Sequence, residues 1–225
     1  ALIDIDAPIP AASRTGEAGM FYIDFKASNA VKRTIIEAAS PAIGATFSVT
    51  PPSTDPDSNN AYQTALSAAY GPLALARDGN DIYISREFST ESNTGAASIV
   101  VINASDEDND FDGNPDIFKT AFVVSLVAEG KEIKKPTAMT VSKDSSTLYI
   151  ADQDRIWALD MATKSFEILS SSNLATGKVG AGPRLGANVS AMEVHPSYDI
   201  LYVAAGDQGI IAIDLATGNR IQVGR

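Results

Sequence analysis

The sequence predicts an all-β protein built of repeated four-stranded antiparallel units, and three observations lead there. Pairs of short alternating apolar runs recur along the chain, a polar turn separates the members of each pair, and no segment sustains the 3.6-residue period of an amphipathic helix. A chain of 225 residues with 44% hydrophobic content is also long enough to bury one sizeable core and short for two.

The first halves of the units are GPLALARDGNDIYIS (71–85), KPTAMTVSKDSSTLYIA (135–151) and NVSAMEVHPSYDILYVA (188–204). Each holds an alternating run, a turn of Asp, Gly, Ser or Pro, and a second run carrying Tyr83, Tyr149 or Tyr202, which together read as a tight β-hairpin. Second halves follow as SIVVINAS (98–105), RIWALDMATKSFEIL (155–169) and GIIAIDLATGNRIQV (209–223). In these, Asp160 and Asp214, 54 positions apart, stand where the chain must reverse. A short carboxylate there accepts bonds from turn amides, and Gly218 supplies a positive φ cheaply, so both aspartates read as structural. Trp157 alternates with core positions in RIWALD and reads as packing.

A further second half, MFYIDFKASNAVKRTII (20–36), lies near the N-terminus without an obvious first half. Either ALIDID supplies an inner strand to a degenerate first unit, or other sequence or another chain completes the set. The opening has neither Met nor a signal-type apolar segment, and the expectation is a piece of something longer.

Four-stranded units at such a period are the signature of β-propeller blades, with the period stretched here by long loops. The expected fold class is therefore an all-β propeller of four-stranded antiparallel blades, with about 3.5–4 blades in this chain. The blade units fall near 1–40, 71–130, 135–170 and 188–225, within a single domain or part of one.

Residues Val189 to Val223, with their AIDLATGNR turn, resemble the NHL-type and YVTN-type bacterial propellers. The stretch ILSSSNLATGKVGAGPRLGANVSAMEV is similar to the passage between blades in NHL-like repeats of secreted bacterial proteins. The resemblance covers roughly residues 70–225. It implies the fold and leaves the function open, because such propellers serve many purposes.

Composition narrows the function. With 17 basic against 28 acidic residues the net charge is −11, and no Lys/Arg stripe offsets it, so nucleic acid is not an expected partner. The absence of cysteine removes disulfides, thiolate metal sites and cysteine nucleophiles. No apolar run approaches the roughly 20 residues of a membrane-spanning helix, so no transmembrane segment is expected.

The strongest local signal is DEDNDFDGNPDIF, which crowds six acidic residues into the eleven positions 106–116. Within it Asp108, Asp110, Asp112, Gly113 and Asp116 spell D-x-D-x-D-G-x-x-D. Calcium takes six to eight oxygens, and alternate residues of a tight loop aim several carboxylates at one centre. The glycine permits the sharp turn, Asn114 would give its backbone carbonyl, and Asp116 completes the set. The pattern departs from the helix–loop–helix calcium hand, since Lys119 stands where a bidentate Glu belongs. It is similar to the loops of integrin-type propeller blades and thrombospondin type 3 repeats, and that similarity implies Ca²⁺ bound by these residues. The other reading is a solvated acidic loop. Its place between the third and fourth strands of a blade marks the calcium as structural. Weak extracellular-type affinity favours the periplasm, the cell surface or the medium.

Other candidates are weaker. The single histidine, His195 in EVHPSYD, reads as a hairpin-turn residue, because no second His and no Gly-x-Ser-x-Gly elbow accompany it. GKVGAGPRLG (177–186) lacks the strand-then-helix context of a phosphate cradle and reads as an inter-blade loop. Its Lys178 and Arg184, with Arg86, Glu87 and Glu91 of REFSTESNTGAAS (86–98), are candidate contacts for a ligand on the inter-blade face, the other reading being solvated loop residues. The long passage 41–71 completes that face.

Three functions follow. The first is a calcium-stabilised binding or scaffold module of a secreted or cell-surface bacterial protein. Its partner would be a protein or glycan on the inter-blade face, or another chain completing the ring. The alternative is a propeller hydrolase resembling the calcium-dependent gluconolactonases, whose metal ligands lie on inner strands; here the inner strands offer only Glu193. A quinoprotein dehydrogenase is discounted, because the tryptophan that ends that family's blade motif is missing from GNRIQ (218–222). No catalytic residues are expected.

Overall fold

The computed structural model describes the backbone of the strands up to residue 128, side chains at 74, 76, 83–85, 99, 101 and 126, and the chain from 131 to 224 except 173–176 and 187. The described residues form four sheets of four strands, one two-stranded ribbon, a single 3-10 turn at Gly206–Gln208 and no α-helix. Every four-stranded sheet is an up-and-down antiparallel meander, the unit from which propellers are built.

The chain divides into two compact units, Ala1–Ser125 and Leu126–Arg225. In the first, β1 (Ile3–Ile5), β2 (Ala18–Asp24), β3 (Ala30–Ile36) and β4 (Ile43–Ser48) form one sheet. A second sheet holds β5 (Pro72–Asp78), β6 (Asp81–Arg86), β7 (Ser98–Asn103) and β8 (Thr120–Ser125). The first sheet is thus complete. Its opening strand is the IDI of ALIDID, and its last comes from the head of the passage read as a 41–71 loop. Three residues make too short a run for alternation to register, and Gly44 and Ala45 dilute the pattern in IGATFS.

The second unit opens with the ribbon β9 (Val127–Ala128) and β10 (Lys131–Glu132). Then come β11 (Pro136–Val141), β12 (Thr147–Asp152), β13 (Arg155–Asp160) and β14 (Phe166–Ser171). The last sheet is β15 (Ala191–Val194), β16 (Ile200–Ala204), β17 (Ile210–Asp214) and β18 (Arg220–Gly224).

Alternation sorts the side chains of β11–β14 onto two faces. Leu148, Ile150, Trp157 and Leu159 share one, where Trp157 meets Phe166 edge-on with ring centroids 5.5 Å apart. Tyr149, Ala151 and Ile156 share the other and meet Met192, Val194, Leu201, Val203, Ile211 and Ile213 of the last sheet in one buried cluster. Strands β11 and β15 lie side by side at this seam. Both faces of β12 are therefore buried, and its sequence, TLYIAD, is apolar on nearly every position as that requires.

Candidate functional site

The second unit carries the described chemistry, and its turns set the geometry. Asp160 Oδ1 accepts from Ala162 N (3.0 Å), Thr163 N (2.7 Å) and Thr163 Oγ1 (2.9 Å). Asp214 Oδ1 accepts from Thr217 N at 2.8 Å and Thr217 Oγ1 at 2.6 Å. Bonds from Thr163 and Thr217 to the ionised form hold both carboxyls below their usual range. The two turns make matching bonds, Lys164 N to Asp160 O and Gly218 N to Asp214 O, so Lys164 at φ 62° holds the place that Gly218 holds at φ 70°. In the third turn His195 Nδ1 accepts from Ser197 N (3.0 Å) and Tyr198 N (3.1 Å), which makes the imidazole a turn cap.

The glycine-rich passage does not stand apart as a loop. Val179 pairs antiparallel with Ser171 at the end of β14, and the chain then meets the β17–β18 turn. There Ala181 N donates to Asn219 Oδ1 at 2.7 Å, and Arg220 N donates to Ala181 O at 2.6 Å. The approach is so close that a Cβ on Gly180 would lie 1.9 Å from Gly218 O, and one on Gly182 would lie 2.0 Å from Arg220 O. The passage is a wedge between the outer strands of two neighbouring sheets.

Arg220 anchors that wedge. Its side chain is 2% exposed, and among the described residues it bonds to carbonyls and a hydroxyl, not to a carboxylate. Nε donates to Pro183 O at 2.8 Å, while Nη1 donates to Ser170 Oγ (2.6 Å), Val179 O (2.9 Å) and Ser171 O (3.3 Å). Among the described residues Nη2 is buried without a partner, and burial pushes the guanidinium below its ordinary pKa. This residue was not among the sequence candidates. Its pairing with Ile213 puts it on the inward face of β18, while the apolar Ile221 and Val223 of GNRIQV alternate to the outward one, so the apolar pattern of the sequence pointed to the wrong face.

An open groove of about 460 Å³ is bounded by the turns β11–β12, β15–β16 and β17–β18. Ser142, Asp144, Thr147, Tyr149 and Asp199 supply its polar lining, and Val194, Leu215 and Ala216 its apolar wall. Lys143 crosses it, donating from Nζ to Tyr198 O at 2.8 Å and standing 3.6 Å from Asp199 Oδ1.

The residues singled out from sequence are spread widely. Asp108, Asp110, Asp112, Asn114 and Asp116 lie outside the described residues, as do Glu87, Glu91 and the side chain of Arg86, whose backbone ends β6. Lys178 and Arg184 are exposed, on either limb of the wedge. Glu193 points away from the seam, alternating with the buried Met192 and Val194. Among the described residues no three His, Asp or Glu side chains are grouped to hold a metal, and no helix is long and apolar enough to cross a membrane.

No family model and no curated protein matches the chain. Among solved structures it is similar to hydrazine synthase of Kuenenia stuttgartiensis, at 18% identity over 68% of this chain and 35% of that one, with a TM-score of 0.42. It is also similar to the WD40 repeats of RRP9, at 11% identity over 97% of this chain and 53% of that one, with a TM-score of 0.48. The chain thus spans about a third and about half the length of these two structures.

Proposed function

We propose that the chain is a binding or scaffold module of the β-propeller class, stabilised by calcium and belonging to a secreted, periplasmic or cell-surface bacterial protein. The observation that carries this reading is the D-x-D-x-D-G-x-x-D set Asp108, Asp110, Asp112, Gly113 and Asp116, placed in sequence between the end of β7 at Asn103 and the start of β8 at Thr120. A metal at that point would join two neighbouring strands of one sheet, with Asn114 giving its carbonyl. Loops of this kind fill at millimolar calcium and stay empty at cytosolic levels, which supports a site of action outside the cytosol.

A partner role draws support from the last sheet. Ile210, Ile221 and Val223 are about half exposed or more, on the face turned away from the seam. Each four-stranded sheet of the second unit uses apolar faces to stack on its neighbour, so the fitting partner for this patch is a sheet of another chain. Lys178, Arg184, Arg86 and Glu87 remain the proposed contacts for a protein or glycan ligand.

Native mass spectrometry at millimolar calcium, repeated after chelation, tests the reading. One chelatable calcium per chain, lost in the double variant Asp110→Asn/Asp112→Asn, is the expected result. A chain that carries no calcium under these conditions overturns the metal assignment. An assembly that Ile221→Lys dissociates would identify the apolar patch as its interface.

A further inference from the structure

We propose that the groove between the two four-stranded sheets of the second unit takes a basic side chain, Lys or Arg, from a partner polypeptide. The inference does not rest on the calcium loop. It starts from Tyr149, whose ring is locked in the seam with 8% of its surface exposed while the residue lines the groove. Among the described residues nothing hydrogen-bonds the Tyr149 hydroxyl, although the polar groups around it are engaged. A phenol held this firmly has its hydroxyl position fixed in advance and a hydrogen bond left to make.

The remaining lining specifies what completes that bond. Among the described residues Asp144 accepts three hydrogen bonds, from Ser142 Oγ (2.7 Å), Ser146 N (3.2 Å) and Ser146 Oγ (2.8 Å), all on Oδ1, which leaves Oδ2 open to a further donor. The Asp199 side chain is 89% exposed, and its one ionic neighbour among the described residues is Lys143 at 3.6 Å. Two carboxylates against one ammonium leave the groove with a net charge of −1, and desolvation together with Asp144 and Asp199 raises the Tyr149 pKa, as a negative local potential must.

The free capacity is therefore acceptor capacity in a negative setting, which calls for a cationic donor. A bare metal ion would satisfy the carboxylates and leave Val194, Leu215 and Ala216 without a contact. A neutral sugar would leave the charge unmatched. A lysine or arginine side chain suits both, with its methylene stem along the aliphatic wall and its charged head among Tyr149, Asp144 and Asp199. Lys143 already places an ammonium against the Tyr198 carbonyl in the same groove, so the surroundings accept one.

The test is a ¹H–¹⁵N titration of the intact chain with Nα-acetyl-arginine amide and Nα-acetyl-lysine amide, with the citrulline amide as the neutral control of the same shape. The expected result is a saturable shift of the amides of residues 142–147 and 199, at least about tenfold weaker with citrulline. Asp199→Asn and Tyr149→Phe should each weaken it severalfold. Asp199 sits on an exposed turn, so its variant stays interpretable if Tyr149→Phe disturbs the seam. Equal shifts with citrulline, equal shifts with calcium alone or a neutral sugar, or no saturable shift at these amides would each overturn the proposal.

Discussion

Arg220 Nη1 donates to Ser170 Oγ at 2.6 Å, and Ser170 Oγ donates on to Gly218 O at 2.8 Å, so a chain of hydrogen bonds crosses between sheets 50 residues apart in sequence. Among the described residues no carboxylate neutralises the guanidinium there. It is held by carbonyl dipoles, which suits a planar fork with donors on several sides. Arg220→Met should therefore leave Pro183 O, Val179 O and Ser171 O without this donor. The relief of burying one charge fewer offsets part of that loss. We expect a net destabilisation of about 2–4 kcal/mol in urea unfolding. A change below about 0.5 kcal/mol would mean the brace contributes nothing.

Gly218 and Gly177 both have positive φ but differ in their surroundings. A Cβ on Gly218 would lie 2.1 Å from Leu169 O, whereas one on Gly177 meets nothing within 4 Å. Gly177→Ala should cost only the conformational term, about 1–2 kcal/mol. Gly218→Ala adds a backbone collision and should cost about 3–5 kcal/mol. Similar midpoints for the two variants would contradict the close packing of the wedge.

The matched turns offer a gain. Lys164 adopts at φ 62° what Gly218 adopts at φ 70° in the next sheet. Lys164→Gly should relieve a left-handed side chain, at the loss of the Lys164 bond to the Met161 carbonyl. The expected outcome is a stabilisation of about 0.5–1 kcal/mol, read as a higher denaturation midpoint at unchanged slope. A lower midpoint would show that the lysine contact matters more than the backbone.

Asp144, Asp160 and Asp214 contribute to the acid limb of the stability curve. Hydrogen bonds from Ser142 and Ser146 hold Asp144 down to about 2, and those from the threonines lower Asp160 and Asp214. Because the folded values lie below the unfolded one of about 3.9, their contribution is complete above that pH and is lost as pH falls through the folded values. Melting temperatures followed from pH 7 to about pH 2 should show Asp214→Asn below the parent at neutral pH and converging with it in acid. A constant gap across the series would rule out the ionised turn as the cause.

Calcium should act on stability in proportion to its occupancy. At millimolar calcium a loop of extracellular affinity adds about 1 kcal/mol, or about 2–4 °C in melting temperature for a chain of this size. Chelator should abolish the increment, and Asp110→Asn/Asp112→Asn should remove the response to both. An equal rise with magnesium would point to general screening of the −11 charge instead.

Much of this architecture was legible in the chain. The three hairpins at 71–85, 135–151 and 188–204 became β5–β6, β11–β12 and β15–β16, because alternation, β-branched residues and turn chemistry all point the same way there. The first sheet was only half legible, since Ile3–Ile5 is too short and IGATFS too diluted to show a period. The wedge was readable as glycine-rich but not as packed. Its contacts run from Gly180 and Gly182 to Gly218 and Arg220, nearly 40 positions on, and depend on missing side chains rather than on any pattern of present ones. The groove was hidden for a similar reason. Asp144, Tyr149 and Asp199 come from turns and strands of two repeats, and each taken alone is an ordinary turn aspartate or strand tyrosine.

The seam also has an order in time. Strand β14 and the wedge leave the ribosome well before Arg220, and until that residue emerges Ser170 Oγ and the carbonyls of Ser171, Val179 and Pro183 wait without the donor that joins them. A nascent chain halted before residue 220 can complete the sheet β11–β14 but not the Arg220 brace at its junction with the next. Sequential synthesis thus makes the final hairpin of the repeat the clasp for the one before it.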